Sequence, residues 1–151
     1  MYDQTFAFMK FIHKALLLIT ANLLCFFSCE SSLEEKIVSR YPSGIASKVE
    51  LFADTDSGKV LVKEIRFFPN GEKDTEGEIK DGKKDGKWKQ WYNNGKLWIE
   101  EQYSEGIKNG TFIVYYPNGE KNYAGEYKYG MPTGTWKFWN EKGEILKETS
   151  Y

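Results

Sequence analysis

Histidine and cysteine are almost missing from this chain of 151 residues. The one histidine is His13, the two cysteines are Cys25 and Cys29, and neither type occurs beyond position 29. A domain built from the remainder has no disulfide framework and must be stabilised by packing. It also lacks a thiolate nucleophile, an imidazole for acid–base or Ser–His–Asp chemistry, and a His/Cys zinc site. No phosphate-cradling glycine motif stands between a strand and a helix. Two carboxylates could in principle run glycoside hydrolysis. Yet nothing singles out a pair among Glu76, Glu78, Glu100, Glu101, Glu126, Glu144 and Glu148, which read as a solvated face paired with neighbouring lysines. The expectation is a protein that is not an enzyme and uses no cofactor and no metal. A net charge of −1, a pI near 6.0 and the lack of any basic block also argue against nucleic acid as a partner.

Long apolar runs are scarce too, and the one present lies near the start. Met9-Lys10-Phe11-Ile12-His13-Lys14 is a short basic stretch, followed by an apolar run from Ala15 to Phe27 interrupted only by Thr20 and Asn22. The run is short for a membrane span and has the layout of a secretory signal. Met9 is a second possible start. The segment closes Phe26-Phe27-Ser28-Cys29. This resembles the lipobox of bacterial lipoproteins, where a small residue precedes a cysteine that is acylated and becomes the new N-terminus. Ser28 fits the small position, whereas Phe26 departs from the usual Leu. The resemblance implies residues 1–28 as signal peptide, lipidation of Cys29, and an exported protein held to a membrane of the cell envelope by its lipid anchor. Two or three acyl chains, at about 0.8 kcal/mol per buried CH₂, would hold it there stably. The polar residues 29–36 then read as a tether.

What the chain has in abundance is glycine and aromatic residues, and both keep time. Gly71, Gly95, Gly119 and Gly143 are 24 residues apart. So are Gly58, Gly82, Gly106 and Gly130, and again Gly86, Gly110 and Gly134. The aromatics Trp88, Phe112 and Trp136 share that period, as do Phe67, Trp91, Tyr115 and Trp139. Several combs at one period mean a repeat protein, whose units bury their apolar faces against their neighbours. Each unit has an aromatic-rich half ending in Asn-Gly or Lys-Gly, then a returning half. Asn-Gly supplies the positive φ of tight hairpin turns, and Pro-Asn-Gly suits a three-residue loop with a type I turn and a left-handed glycine. The spacing predicts one β-hairpin per unit, with a Gly-x-x-x-Gly loop leading to the next. The fold class is all-β, a single-layer or open meander of antiparallel hairpins. The repeat domain spans 37–151: a degenerate first unit at 37–58, then 59–82, 83–106, 107–130 and 131–151. Tyr41-Pro42-Ser43-Gly44 stands 27 residues before Phe68-Pro69-Asn70-Gly71, and the extra three residues fit the Asp54-Thr55-Asp56 turn. Alternation puts Trp88, Gln90, Tyr92, Phe112, Val114, Tyr116, Trp136 and Phe138 on one face, the expected core. Trp91, Tyr115 and Trp139 fall on the other face as a candidate contact strip.

The stretches Tyr103–Phe112 (Y-x-x-G-x-x-x-G-x-F), Tyr127–Trp136 (Y-x-x-G-x-x-x-G-x-W) and Ile79–Trp88 (I-x-x-G-x-x-x-G-x-W) resemble MORN repeats in their bacterial variant form. Many proteins of that form carry the label YwqK-type antitoxin. The resemblance covers about residues 58–151. It implies a hairpin-repeat sheet engaged in protein or membrane contact, and it supplies no catalytic residues. The expected role is a binding module for a protein partner at the envelope, with neutralisation of a toxin as the alternative. Trp91-Tyr92-Asn93-Asn94-Gly95 is also similar to choline-binding cell-wall repeats, whose rings cage a quaternary amine, though those repeats are shorter than 24 residues. Choline or glycan binding is therefore the third reading.

Overall fold

The computed structural model describes residues 33–151. The segment 1–28 expected to be a signal peptide, Cys29 and half of the expected tether lie outside the described residues. Ten strands follow one another as a meander: β1 (Glu34–Arg40), β2 (Ala46–Thr55), β3 (Gly58–Phe67), β4 (Lys73–Lys80), β5 (Lys83–Trp91), β6 (Leu97–Ser104), β7 (Ile107–Tyr115), β8 (Lys121–Lys128), β9 (Met131–Trp139) and β10 (Ile145–Ser150). They form one open antiparallel sheet in sequence order, with no helix among the described residues. The all-β hairpin meander expected from the period is what the chain forms. β1 begins inside the segment expected to be a tether, because Glu34, Glu35 and Lys36 find register partners in Phe52, Leu51 and Glu50. The open edges are short and carry Lys36, Arg40 and Lys147, charges that discourage further strand addition.

Two kinds of turn alternate. At one margin, Tyr92–Lys96 is closed by Gly95 N donating to Tyr92 O at 2.9 Å and Tyr92 N to Lys96 O at 2.8 Å. Gly95 has φ +79°, while the asparagines keep negative φ. This is the type I turn with a left-handed glycine, and it recurs at Phe68–Glu72, Tyr116–Glu120 and Asn140–Glu144. Asparagine therefore serves here through its side chain and not through positive φ. Asn94 Oδ1 accepts the Lys96 N–H at 3.1 Å, and Asn118 Nδ2 donates to Glu141 O in the next loop at 2.8 Å.

At the other margin the expected Gly-x-x-x-Gly loop does not form. Asp81-Gly82, Glu105-Gly106 and Tyr129-Gly130 each have positive φ at both residues, the signature of a two-residue type I′ turn. The next strand starts at once. The second glycine, Gly86 or Gly110, sits within that strand where the register slips, and so works as a bulge. The turn amides are held by the preceding unit: Gly106 N donates to Lys84 O, and Gly130 N to Lys108 O, both at 2.8 Å. In the degenerate first unit the extra residues do not enlarge the turn. They lengthen β2 and β3 to ten residues each, with Thr55 opposite Gly58.

A one-layer sheet has no second layer to bury its rings. The packing solution lies in the register. Gly77 is opposite Trp88, and a Cβ on Gly77 would stand 2.0 Å from the Trp88 ring. A Cβ on Gly125 would stand 2.3 Å from the Trp136 ring. Neither glycine has positive φ; both are there because an indole lies flat on the strand. Trp88 is only 3% exposed and Trp136 only 5%, despite the single layer. In the middle unit the ring is the smaller Phe112, and the facing position holds Glu101 instead of glycine. Phe112, Val114 and Trp136 form a cluster bordered by Ile99, Tyr123, Tyr127 and Phe138. Tyr92 and Tyr116 bind the units further, each hydroxyl donating to a carbonyl of the next hairpin, Tyr115 O or Trp139 O, at 2.8 Å.

The expected core face is thus the packed one, and two outcomes should follow. Trp136→Ala should cost about 3–5 kcal/mol in chemical unfolding. Gly125→Ala should cost about 1–3 kcal/mol by overpacking. Combining Gly125→Ala with Trp136→Phe should recover part of the sum, because Phe112 already tolerates a side chain in the facing position. Strict additivity in that cycle would contradict the ring-on-glycine contact.

Candidate functional site

Cross-strand partners point to the same side of a sheet, so the register defines the second face. One row on it runs Ile37, Val49, Ile65, Glu76, Lys89, Glu100, Ile113, Ala124, Lys137 and Glu148 through all ten strands. Toward the N-terminal edge it is apolar, and Val49 there is buried. Toward the other end it is an ion-pair ladder. Glu76 is paired with Lys63 and Lys73, Lys89 with Glu100 at 3.5 Å, and Lys137 with Glu148 at 3.1 Å. Burial pushes the Glu76 carboxyl up, but hydrogen bonds from Lys63 and Lys73 outweigh it, and its pKa falls below the usual carboxylate range.

Beside this ladder lie Trp91, Tyr115 and Trp139, the last residues of β5, β7 and β9. All three are half-buried and face away from Trp88 and Trp136. They stand on one line but not in contact, since β6 and β8 intervene and place Leu97 and Lys121 beside them. Two strand spacings put successive rings about 10 Å apart. Lys73 Nζ rests 5.7 Å from the Trp91 ring centre and Lys121 Nζ 5.9 Å from that of Trp139. The Tyr115 hydroxyl donates to Glu100 Oε2 at 3.1 Å. Partial burial, then the Glu100 hydrogen bond and charge, push the Tyr115 pKa up to about 12.

The same face is hollowed along the ladder, chiefly on the side away from the strip. A trough of about 210 Å³ lies among Lys87, Lys89, Glu100, Gln102 and Ile113. A wider one of about 410 Å³ is floored by Ala124, Thr133 and Thr135 and walled by Lys121, Lys137 and Trp139. Small side chains on β8 and β9 create the wider trough. No cluster of metal-ligating side chains occurs among the described residues.

One carboxylate departs from the expected solvated face. Glu101 lies on the aromatic side and is 4% exposed. It accepts the Tyr103 hydroxyl at 3.1 Å and the Gln90 amide at 3.4 Å, and pairs with Lys108 at 3.0 Å. Lys108 Nζ also sits 4.4 Å over Phe112, and Lys84 Nζ 4.0 Å over Trp88. Burial lowers the Lys84 pKa. These lysines act as lids on the rings. Glu101 carries a signal in the sequence that was passed over: it stands in phase with Gly77 and Gly125, a column of absent side chains.

Three stretches of the chain, residues 84–105, 108–129 and 132–151, match the family model of the MORN repeat variant. The match starts later than the resemblance at 58–151 suggested. The unit before departs from the pattern at position 64, where Glu64, bound to Lys48 and Arg66, stands in the phase held by Trp88. No curated protein matches the chain. The matched repeats point to a repeat-based binding module.

The two tyrosines held at about 12, Tyr103 by burial with Glu101 and Tyr115 by burial with Glu100, give a pH test. A folded-state pKa raised above the unfolded value near 10 adds stability that is fully present below about pH 10 and lost as the pH rises toward 12. Tyrosinate absorbance should therefore show Tyr103 and Tyr115 titrating last, with Tyr92, raised by burial, also above the ordinary value. Glu100→Gln should bring only Tyr115 down. A Tyr115 titration unmoved by that change would mean that Glu100 does not hold the hydroxyl.

Proposed function

We propose that this chain is an exported, lipid-anchored repeat protein that binds a macromolecular partner at the cell envelope, using the sheet face that carries Trp91, Tyr115 and Trp139. The observation that carries the reading is the division of labour between the faces. The Trp88–Trp136 side is consumed by packing, with its rings on glycine and lysines above them. The other side keeps three large rings half-exposed, one per unit, with the wider trough reaching Trp139. Large aromatics in a rigid line are the side chains that anchor interfaces. The sheet supplies the rigidity, since every ring ends a strand hydrogen-bonded on both sides. The apolar leader ending at Ser28-Cys29 supports export and anchoring.

Two experiments test the two halves. Metabolic labelling with a palmitate analogue should mark the wild type and fail on Cys29→Ala; label that survives the change, or none in the wild type, contradicts the anchor. For the surface, purified Cys29→Ala protein should be retained on native envelope fragments. Replacing Trp91, Tyr115 and Trp139 by Ser should abolish retention while thermal melts by circular dichroism stay close to the parent, as partly exposed positions cost little. Collapse of the triple variant would show the strip to be a second core.

A further inference from the structure

The strip is periodic, and the geometry points to a ligand that is periodic as well: we infer that the partner held by Trp91, Tyr115 and Trp139 is a β-1,4-linked glycan strand lying across the sheet, perpendicular to the β-strands. The inference rests on the binding reading above and replaces the protein partner expected from the sequence with a polysaccharide.

Four observations carry it. The rings sit at the same position of β5, β7 and β9, so they recur across the sheet with a repeat of two strand spacings, about 10 Å. In a β-1,4-linked strand all linkages are equatorial and alternate sugars are flipped, so the same apolar C–H face recurs once per disaccharide, a length close to that repeat. Each ring of the strip can then take the same face of successive disaccharides.

The strip also lies inside the sheet. The backbone groups of β5, β7 and β9 are already paired to strands on both sides, so an extended peptide cannot add there as a further strand. A ligand must be recognised by side chains alone, and a sugar offers both stacking faces and hydroxyls for that.

Charge selects further. The ladder beside the strip is neutralised within itself, Lys89 by Glu100 and Lys137 by Glu148, which leaves no field of one sign to draw an acidic or basic polymer. What it offers is alternating donors and acceptors, and the wider trough, walled at one end by Trp139, adds Thr133 and Thr135 farther along β9. Hydroxyl groups use both. The lysines over Trp91 and Trp139 are on the exposed side, with half of the Lys73 side chain in solvent, so they can swing off the rings to admit a sugar.

The probes are cellohexaose and chitohexaose, with the α-linked maltohexaose as control, titrated into full-length Cys29→Ala protein by calorimetry. At least one β-linked probe should bind and maltohexaose should not. Trp139→Ala should weaken binding tenfold or more with an unchanged melt. Ala124→Gln, which fills the wider trough from its floor and removes no ring, should do the same and keeps the test valid if Trp139→Ala fails to fold. Absence of binding to both β-linked probes, equal binding of maltohexaose, or binding indifferent to both variants overturns the glycan assignment. If no glycan binds while strip-dependent retention on envelope fragments persists, the glycan is wrong and the binding module stands. If both are absent, both readings fall.

Discussion

Everything in this sheet depends on a ring lying flat on a strand that has no side chain. A single antiparallel layer exposes both faces to water, and a tryptophan on such a layer would ordinarily keep much of its surface wet. Gly77 and Gly125 remove the obstacle beneath Trp88 and Trp136, so each indole rests on backbone and is closed in by Tyr103, or by Phe112 and Tyr127. Lys84 covers Trp88 from above. Burial is achieved sideways, within one layer, at the scale of 25 cal/mol per Å² that makes an indole the largest contributor a unit can offer. The middle unit reaches the same end differently, with a smaller ring, a buried carboxylate and the Lys108 ammonium that neutralises it.

That solution uses up one face and fixes what the other can be. Because most rings on the Trp88 side are taken up in packing, the opposite side carries little of the core beyond Val49 and its apolar row at the N-terminal edge. It carries an ion-pair ladder, which adds little stability at a surface but keeps the face polar and registered. Against that ladder the aromatic residues at 91, 115 and 139 stand out. The two turn types contribute rigidity: type I′ turns tie each unit back to the one before, and the glycine-bulged loops carry tyrosine and asparagine contacts to the one after.

Much of this was legible in the sequence because a period of 24 survives composition and noise. The hairpins, the antiparallel order, the packed face and the left-handed glycine at 71, 95, 119 and 143 follow from spacing and turn chemistry. Four things did not. Gly86 and Gly110 look like loop glycines, since positive φ serves a bulge as readily as a turn. Gly77 and Gly125 stand in a comb broken by Glu101, and only the register shows that they face an indole. Glu101 reads as one more surface carboxylate, because its charge speaks for solvent and only the register pairs it with Phe112. At the N-terminal end, Glu34 to Lys36 have the composition of a linker, yet the open edge of β2 recruits them.

The central claim is that one face packs and the other binds. Hydroxyl-radical footprinting read by mass spectrometry tests it directly, since it reports ring by ring. In the free protein Trp88, Phe112 and Trp136 should oxidise slowly, and Trp91, Tyr115 and Trp139 faster, with the exposed Trp98 as an internal reference. On native envelope fragments only the strip should gain protection. Equal protection of both sets in the free protein, or protection gained on the Trp88 side, would contradict the division of the sheet into a packed face and a binding face.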